Sequence, residues 1–181
     1  MKLSIRECGV PDIDRIVGYF LDAHPTFLDG LGVDPNKLPE REVWRDALVA
    51  EAERPLEQRE RHYVIWEIDG VAVGHSNLSE IQFGVQAHMH LHMWDVSARR
   101  WGSGTSLVRA SIDRYFELFR LENLFSEPYA LNPAANRTLP KLGFRFLESY
   151  DGVPGPISYP QPVNRWRLTR EEWEALRRER A

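Results

Sequence analysis

Three histidines alternate with apolar residues in the segment AHMHLHMW, which begins at Ala87. The imidazoles belong to His88, His90 and His92. Because side chains alternate between the two faces of a β-strand, these imidazoles share one face, and the Met and Leu side chains form the opposite, core-facing side. An imidazole, with an ordinary pKa of about 6.5, can accept a proton near neutral pH and can also bind zinc. The segment is therefore a candidate for acid–base or metal chemistry.

The sequence leaves three roles open for this histidine face. In the first, an imidazole acts as a general base, since crowded imidazoles disfavour one another's charged forms and stay neutral and basic. In the second, the histidines are hydrogen-bonded structural residues. In the third they bind a metal, but a ligand set from all three would strain the strand, and no carboxylate motif accompanies them. We predict that the site holds no metal.

The segment from Arg99 to Thr105, RRWGSGT, has the composition of an anion-binding loop. Gly102 and Gly104 allow the backbone to approach a ligand closely, and a helix that starts here presents N–H groups without internal partners. The helix dipole adds about half a positive charge, and Arg99 and Arg100 add two guanidinium groups. The loop lacks the Lys-Ser/Thr of a P-loop and the third glycine of a dinucleotide fingerprint. The pattern predicts a phosphate site, with a tight turn that binds nothing as the alternative.

Both segments belong to a chain whose predicted elements follow the order β-α-α-β-β-β-α-β-α-β-β-α. Apolar alternation predicts strands at residues 3–7, 62–68, 71–78, 88–95, 124–131, 144–150 and 163–168. Helical spacing predicts helices up to residue 22, at 41–53, 104–120 and 133–142, and after a capping box formed by Thr169 and Glu172. The Gly- and Pro-rich stretches 29–35 and 152–162 are predicted loops. Early hairpins and later crossovers predict a single-domain α/β fold, with a mixed central sheet of about seven strands and flanking helices.

Composition narrows the class of protein. The chain has 181 residues, of which 43% are hydrophobic and 28% are charged, as expected for one globular domain spanning residues 1–181. A net charge of −4 and a sequence pI of about 5.9 argue against partners such as nucleic acid or an anionic membrane. Cys8 is the sole cysteine, which excludes a disulfide within the chain. No signal peptide or membrane span is evident in the sequence, so we expect a cytoplasmic protein.

Two motifs resemble the GNAT superfamily of N-acetyltransferases. Arg99-x-x-Gly102-x-Gly104 is similar to the family's [Q/R]-x-x-G-x-[G/A] loop, and the stretch 132–144, which starts NPAAN and ends LGF, is similar to its later Asn-helix-strand motif. The predicted order of elements agrees with this fold over essentially the whole chain. The resemblance implies acetyl-CoA as the co-substrate, with its pyrophosphate bound by residues 99–105.

The resemblance also implies contacts to the rest of the cofactor. In the family, two neighbouring strands splay so that the pantetheine arm lies between them, and the motif Asn contacts that arm. We therefore expect side-chain contacts from Asn132 and Asn136 and backbone pairing with the pantetheine amides near Trp94 and Val96. The full set of expected cofactor-binding residues is Trp94, Val96, Arg99, Arg100, Trp101, Gly102, Ser103, Gly104, Thr105, Asn132 and Asn136.

The histidine segment resembles a further feature of the superfamily. Ala-His-x-His, followed by the glycine loop, is similar to the corresponding stretch of serotonin (arylalkylamine) N-acetyltransferase, in which two histidines act as the base pair. This resemblance implies His88 and His90 as the catalytic residues, whereas His92 has no counterpart.

The general acid of the family is missing from its usual positions. Many members protonate the departing thiolate with a Tyr where this chain has Leu139, and some use a Ser where it has Ala135. The general acid is therefore unassigned, with Tyr129 and Tyr150 as substitutes by proximity.

The expected activity is direct transfer of an acetyl group from acetyl-CoA to a primary amine. The acceptor is a small amine or a protein or peptide N-terminus, since the LGFRF stretch and the terminal strand and helix also resemble the ribosomal-protein N-terminal acetyltransferases. We expect it to enter over the first two helices and the acidic 29–39 loop. A non-catalytic acyl-CoA-binding sensor and a His-ligated metal enzyme are the alternatives. The acyl chain length and a homodimeric assembly stay open.

Overall fold

A mixed sheet of seven strands forms the centre of the computed structural model, which describes residues 1–94 and 103–180. The strands are β1 (Leu3–Glu7), β2 (His62–Ile68), β3 (Val71–Gln82), β4 (Gln86–Met93), β5 (Asn123–Ser126), β6 (Arg145–Gly152) and β7 (Gln161–Thr169). Their spatial order is β1-β2-β3-β4-β5-β7-β6. Neighbouring strands are antiparallel except β4 and β5, which are parallel. The predicted α/β fold with a mixed seven-stranded sheet is confirmed.

Helices flank both faces of this sheet. In the described residues they are α1 (Val10–Leu21), α2 (Pro25–Leu31), α3 (Arg41–Glu53), α4 (Ser103–Phe119), α5 (Pro133–Thr138) and α6 (Arg170–Arg180), with 3-10 turns at Pro35–Lys37, Leu56–Gln58 and Pro140–Leu142. The capping box predicted for α6 is present, because the Thr169 N–H donates to Glu172 Oε2 (2.9 Å) and the Glu172 N–H donates to Thr169 Oγ1 (3.2 Å). In these described stretches, no helix is both long and apolar enough to cross a membrane.

The alternation of side chains on β2 divides the interior into two cores. Ile65 packs against the apolar stripes of α1 and α3, which are formed by Ile13, Ile16, Val17 and Leu48. Val64 and Trp66 point to the opposite face and pack against α4, α6 and the apolar side of β4. The buried Trp66 indole N–H is satisfied by Ser111 Oγ of α4 at 2.8 Å. The sheet is thereby held between two helical layers.

Helix α2 is absent from the sequence prediction, which gave a loop over part of this region. Pro25 occupies its first turn, and Gly32 ends it in a left-handed conformation with φ 73°. The His24 side chain caps it by accepting a hydrogen bond from the Thr26 N–H (3.3 Å). The loop prediction was wrong because the Pro and Gly residues mark the ends of a short helix.

Three other elements end four or more residues away from their predicted ends. Strand β3 continues to Gln82 through an irregularity after Ser79, where Glu80 adopts φ 51°. Strand β5 ends at Ser126, shortly before Pro128, which has no N–H to donate to a ladder. Helix α5 ends at Thr138 and gives way to a 3-10 turn that starts with Pro140.

Candidate active site

The two parallel strands at the centre of the sheet separate along their length. Strand β4 pairs with β5 through three residues, Gln86, Ala87 and His88. It then continues to Met93, and no described residue forms a ladder with it on that side. Ser126 closes the apex of the opening by donating its hydroxyl to the Met89 carbonyl at 3.0 Å. We call the side of β4 beyond Met89 that faces away from β3 the β4–β5 opening.

One edge of this groove is a row of backbone groups on β4. The Trp94 N–H donates to the Val73 carbonyl of β3 at 2.8 Å. Because peptide groups on a strand alternate between its two neighbours, those of Leu91 and Met93 point into the opening. The Trp94 N–H is engaged with β3, whereas the peptide groups of Leu91 and Met93 face the β5 side of the strand.

The N-terminus of α4 lies at the end of β4. A Cβ atom added to Gly104 would meet only the Met93 Cε within 4 Å, at 3.8 Å, so the packing of the described residues does not require a glycine here. Ser103 is buried, and Gly104 and Thr105 follow it at the described start of α4, where the helix dipole places partial positive charge. The other expected residues of this loop, together with Val96, lie outside the described residues; they are Arg99, Arg100, Trp101 and Gly102.

The predicted division of β4 into two faces is confirmed. Ala87 and Met89 are buried in the core beneath α4, and Leu91 and Met93 pack against the same core. The three imidazoles lie on the opposite side, which we call the histidine face. It is the sheet surface that carries His88, His90 and His92 on β4, Phe125 and Glu127 on and after β5, Arg165 and Arg167 on β7, and Tyr150 on β6.

Two of the three imidazoles are held neutral by their surroundings. Burial, followed by the nearby charge of His88, lowers the pKa of His90 to about 4, and its Nε2 is hydrogen bonded to Ser79 Oγ at 2.8 Å. Burial lowers the pKa of His92 to about 3, and its ring stacks on that of His75 with centroids 4.7 Å apart. Burial also holds the pKa of His75 well below its ordinary value. The imidazoles of His90, His92 and His75 are therefore neutral at neutral pH.

His88 has a different environment. Its side chain is 16% exposed, and its ring stacks on Phe125 with centroids 5.5 Å apart. Two carboxylates flank it, with Glu127 Oε2 3.8 Å from Nδ1 and Glu80 Oε2 4.0 Å from Nε2. His88 is therefore the one of the three histidines that lies between two carboxylates.

Glu127 is a site residue that sequence reasoning missed. Its side chain is 7% exposed, and its carboxylate accepts hydrogen bonds from Arg165 Nε (2.5 Å) and the Tyr150 hydroxyl (2.9 Å). Burial, reinforced by this carboxylate, raises the pKa of Tyr150. The available signal was alternation, since Phe125 and Glu127 are two residues apart and share the histidine face. The pairing of β5 with β4 was needed to bring them to His88.

The usual position of the family's general acid is part of the core. Leu139 is fully buried among the apolar residues under α4 and α6. Ala135 lies within α5, where its carbonyl accepts the Leu139 N–H at 3.1 Å. Of the two substitutes, Tyr150 reaches the histidine face through Glu127, and Tyr129 forms an isolated bridge to Val163. The structure brings Tyr150 into the cluster around Glu127.

The two asparagines of the later motif have different roles in the structure. Asn132 caps α5 by accepting the Ala134 N–H on its Oδ1 at 3.2 Å. The Asn136 amide donates to the carbonyls of Tyr129 (3.0 Å), Ala130 (3.4 Å) and Asn132 (2.8 Å). Its Oδ1 accepts from two β7 side chains, Asn164 (3.0 Å) and Trp166 (3.1 Å). The polar atoms of the Asn136 side chain are therefore engaged by protein groups, and its expected contact with the cofactor stays a prediction.

The three histidines diverge rather than converge. The His88 ring lies beside Glu80 and Glu127. The His90 ring contacts Ser79, and the His92 ring stacks on His75. Within residues 1–94 and 103–180, no three His, Cys, Asp or Glu side chains are arranged to hold a metal ion.

Solved structures with the same fold are acetyltransferases. The chain is similar to spermidine N-acetyltransferase from Vibrio cholerae in complex with CoA and spermine, with 14% identity, 95% of this chain and 98% of that chain covered, and a TM-score of 0.76. It is similar to RimL, a ribosomal L7/L12 α-N-protein acetyltransferase in complex with CoA (14% identity, 93% and 94% covered, TM-score 0.72). It is also similar to the aminoglycoside acetyltransferase AAC(6')-Ib in complex with CoA (17% identity, 97% and 99% covered, TM-score 0.72). No curated protein matches the sequence significantly.

The sequence itself matches a family model. The model of the acetyltransferase (GNAT) family aligns with residues 33–144, which is more than half of the 181 residues. The matched region includes the histidine strand, the glycine loop, α4, β5 and α5. The chain therefore belongs to the GNAT acetyltransferase family and is an acetyl-CoA-dependent N-acetyltransferase.

Proposed function

We propose that this enzyme transfers the acetyl group directly to a primary amine, with His88 as the proton acceptor and Glu127 as its charge partner. The observation that carries the proposal is the position of His88 between two carboxylates beside the β4–β5 opening. The solved relatives are named for amine acceptors, namely spermidine, a ribosomal protein N-terminus and an aminoglycoside, which supports the same class here.

The cofactor is proposed to occupy the opening between the strands. The pantetheine arm pairs with the peptide groups of Leu91 and Met93, which lack a β5 partner. Its pyrophosphate lies against the described start of α4, at Ser103, Gly104 and Thr105, where the helix dipole favours negative charge. Residues 99–102 complete this site in the proposal, and Asn132 stands at the pantetheine side.

The proposed chemistry needs one proton acceptor and a held geometry. Amine and thioester are bound side by side, which replaces a bimolecular encounter with a positioned one. The neutral amine attacks the thioester carbonyl carbon, and His88 accepts the proton that leaves the nitrogen. The tetrahedral intermediate collapses as the C–S bond breaks, and the thiolate takes a proton from His88 or from water. Main-chain N–H groups of β4 stabilise the oxyanion.

The neighbours of His88 have supporting roles in this proposal. Glu127 stabilises the imidazolium that forms during the reaction. Tyr150 keeps its proton because of its raised pKa, and it holds the Glu127 carboxylate in place. His90, with a pKa of about 4, is too weak a base to act alone near neutral pH. It positions the strand through Ser79.

The whole chain, residues 1–181, is proposed to form this one catalytic domain in the cytoplasm. The amine is proposed to approach over α1, α2 and the segment after them. His92 contacts the rings of Tyr19 (5.4 Å) and Phe20 (5.2 Å) of α1, so this helix forms a wall of the site.

A panel of amines tests the proposal. The enzyme is incubated with acetyl-CoA and either a peptide N-terminus, a polyamine or an arylalkylamine, and free CoA thiol and acetylated product are both measured. We expect stoichiometric thiol and product with at least one amine class, and loss of turnover in His88→Ala with acetyl-CoA binding retained. Tight CoA binding without transfer to any amine would refute the proposal.

A further inference from the structure

A row of side chains crosses the histidine face in register with His88. His88 on β4 pairs with Phe125 on β5, and Phe125 pairs with Arg167 on β7. Side chains that stand opposite one another on neighbouring strands share a face, so Arg167 lies on the face that carries the proposed base. Two strand spacings separate the Cα atoms of His88 and Arg167, which is about 10 Å.

The guanidinium of Arg167 is an unpaired cation on this face. Its Nε is buried without a hydrogen-bond partner, and in the described residues no carboxylate or carbonyl pairs with the group. Arg165, two residues earlier on the same strand, is held by Glu127 and Glu148. Arg145, opposite Arg167 on β6, forms an ion pair with Glu172. Arg167 alone among these three arginines keeps its charge available to a ligand.

Charge on the histidine face is therefore divided into two zones. Glu80 and Glu127 place negative charge around His88, where an ammonium group is attracted before it loses its proton. Arg167 places positive charge two strands away. A buried donor without a partner is costly, and a carboxylate would satisfy it with charge-assisted hydrogen bonds.

We propose that Arg167 binds a carboxylate carried by the acceptor, so that the acceptor is a primary amine with an anionic group at a distance. This inference rests on the proposed function. An extended peptide advances about 3.3 Å per residue, so an acidic side chain at the second or third residue of a peptide N-terminus spans from His88 to the reach of Arg167. A small ω-amino acid has the same chemistry. A purely cationic polyamine meets the unpaired guanidinium and is disfavoured.

Matched acceptors test the inference on the intact enzyme. Three peptides that differ only at the second residue, Ser-Asp-Ala-Ala-amide, Ser-Ala-Ala-Ala-amide and Ser-Lys-Ala-Ala-amide, are compared with 6-aminohexanoate and spermidine. We expect kcat/KM to be highest for the acidic peptide or for 6-aminohexanoate, which identifies the source of the carboxylate. Equal values for the acidic, neutral and basic peptides, or a preference for spermidine, would overturn the inference.

Substitution of Arg167 gives a second, independent readout. Arg167→Gln should raise KM for the preferred anionic acceptor by about ten-fold or more and leave kcat and KM for the neutral peptide nearly unchanged. Arg167→Lys keeps the charge and should retain part of the preference, and Arg167→Glu should reverse it toward the basic peptide. Arg178→Gln, a 72% exposed position on α6, is the matched control and should change nothing. An equal loss with every acceptor would assign Arg167 to the fold instead.

The two proposals fail in different ways. Acetyl transfer without any dependence on acceptor charge removes the role of Arg167 and leaves the transferase mechanism standing. If no amine is acetylated while CoA binds, the proposed function fails, and the role of Arg167 fails with it.

Discussion

Glu127 joins His88 to Arg165. One carboxylate oxygen lies 3.8 Å from His88 Nδ1, and the other accepts a hydrogen bond of 2.5 Å from Arg165 Nε. The carboxylate is thereby fixed on one side by a permanent cation and faces, on the other, a ring that is charged only when it has taken up a proton. This geometry places the Glu127 carboxylate between Arg165 and the proposed proton acceptor.

Replacing Glu127 tests this arrangement. Glu127→Gln should lower kcat by about ten-fold, since the amide no longer stabilises an imidazolium at His88. The acetyl-CoA dissociation constant should stay unchanged. Glu148→Gln is the control, because Glu148 also contacts Arg165 (2.9 Å) but is 54% exposed and does not contact His88. The measurement is kcat of both variants by steady-state kinetics. Equal kcat values for Glu127→Gln and Glu148→Gln would exclude a catalytic role for the Glu127 charge.

The histidines should differ in their effect on rate. His88→Ala should reduce kcat by about a hundred-fold, as expected for a lost general base. His90→Ala should have a smaller effect and keep the pH profile, since a group with a pKa of about 4 is already neutral in the assay range. The measurement is kcat/KM against pH for each variant. A larger loss of kcat/KM in His90→Ala than in His88→Ala would assign the role of general base to His90.

Gly104 should matter for the cofactor rather than for the fold. Gly104→Ala should leave the thermal midpoint of the unliganded protein unchanged or raised, because alanine favours helix and the added methyl meets only Met93. The dissociation constant of acetyl-CoA should rise by about ten-fold or more, and Gly104→Glu should abolish binding. Gly30→Ala on α2, where nothing lies within 4 Å, is the matched control. Calorimetric titration separates the two effects.

Acid should destabilise the protein through its neutral histidines. The pKa values of His90 and His92, about 4 and 3, lie below the ordinary value of 6.5, so the unfolded chain binds more protons than the folded one between these limits. Stability should therefore fall as the pH drops below about 6.5, on the order of 1 kcal/mol per pH unit for each group. Urea unfolding between pH 7.5 and 5 measures the slope.

That pH range separates the histidines from the acidic groups. Glu7, whose pKa is lowered to about 2 although burial opposes the shift, loses its contribution below its ordinary value of 4.5. His92→Phe should therefore reduce the slope between pH 7.5 and 5. An unchanged slope would contradict the assignment of a neutral, buried ring.

Asn136 should be a stability residue. Asn136→Ala leaves Trp166 Nε1 and the Asn164 amide without their shared acceptor, and each buried polar group left unsatisfied costs about 1–3 kcal/mol. We expect a lower thermal midpoint and an unchanged acetyl-CoA dissociation constant. A selective loss of cofactor affinity would restore the cofactor role that its sequence motif suggested.

The sequence predicted the elements whose signals are local. Alternation from Ala87 to Trp94 was enough to assign core and histidine faces to β4, and Thr169 with Glu172 was enough to start α6. Glu127 was missed because its place beside His88 depends on the parallel pairing of β5 with β4. The β7 partners of Asn136 could not be predicted either, because one sequence motif does not distinguish a ligand contact from a tertiary one.

The divergence of β4 and β5 has a consequence for how such enzymes diversify. The groups that β4 presents at this opening are peptide N–H and C=O groups, whose hydrogen-bonding capacity is the same for nearly every amino acid. In the proposed mode of binding, acetyl-CoA can therefore still be bound after the side chains on the histidine face have been exchanged. Mutational drift on the histidine face can redirect the enzyme to new acceptors without rebuilding the scaffold, which is consistent with a shared architecture among chains with 14% to 17% identity.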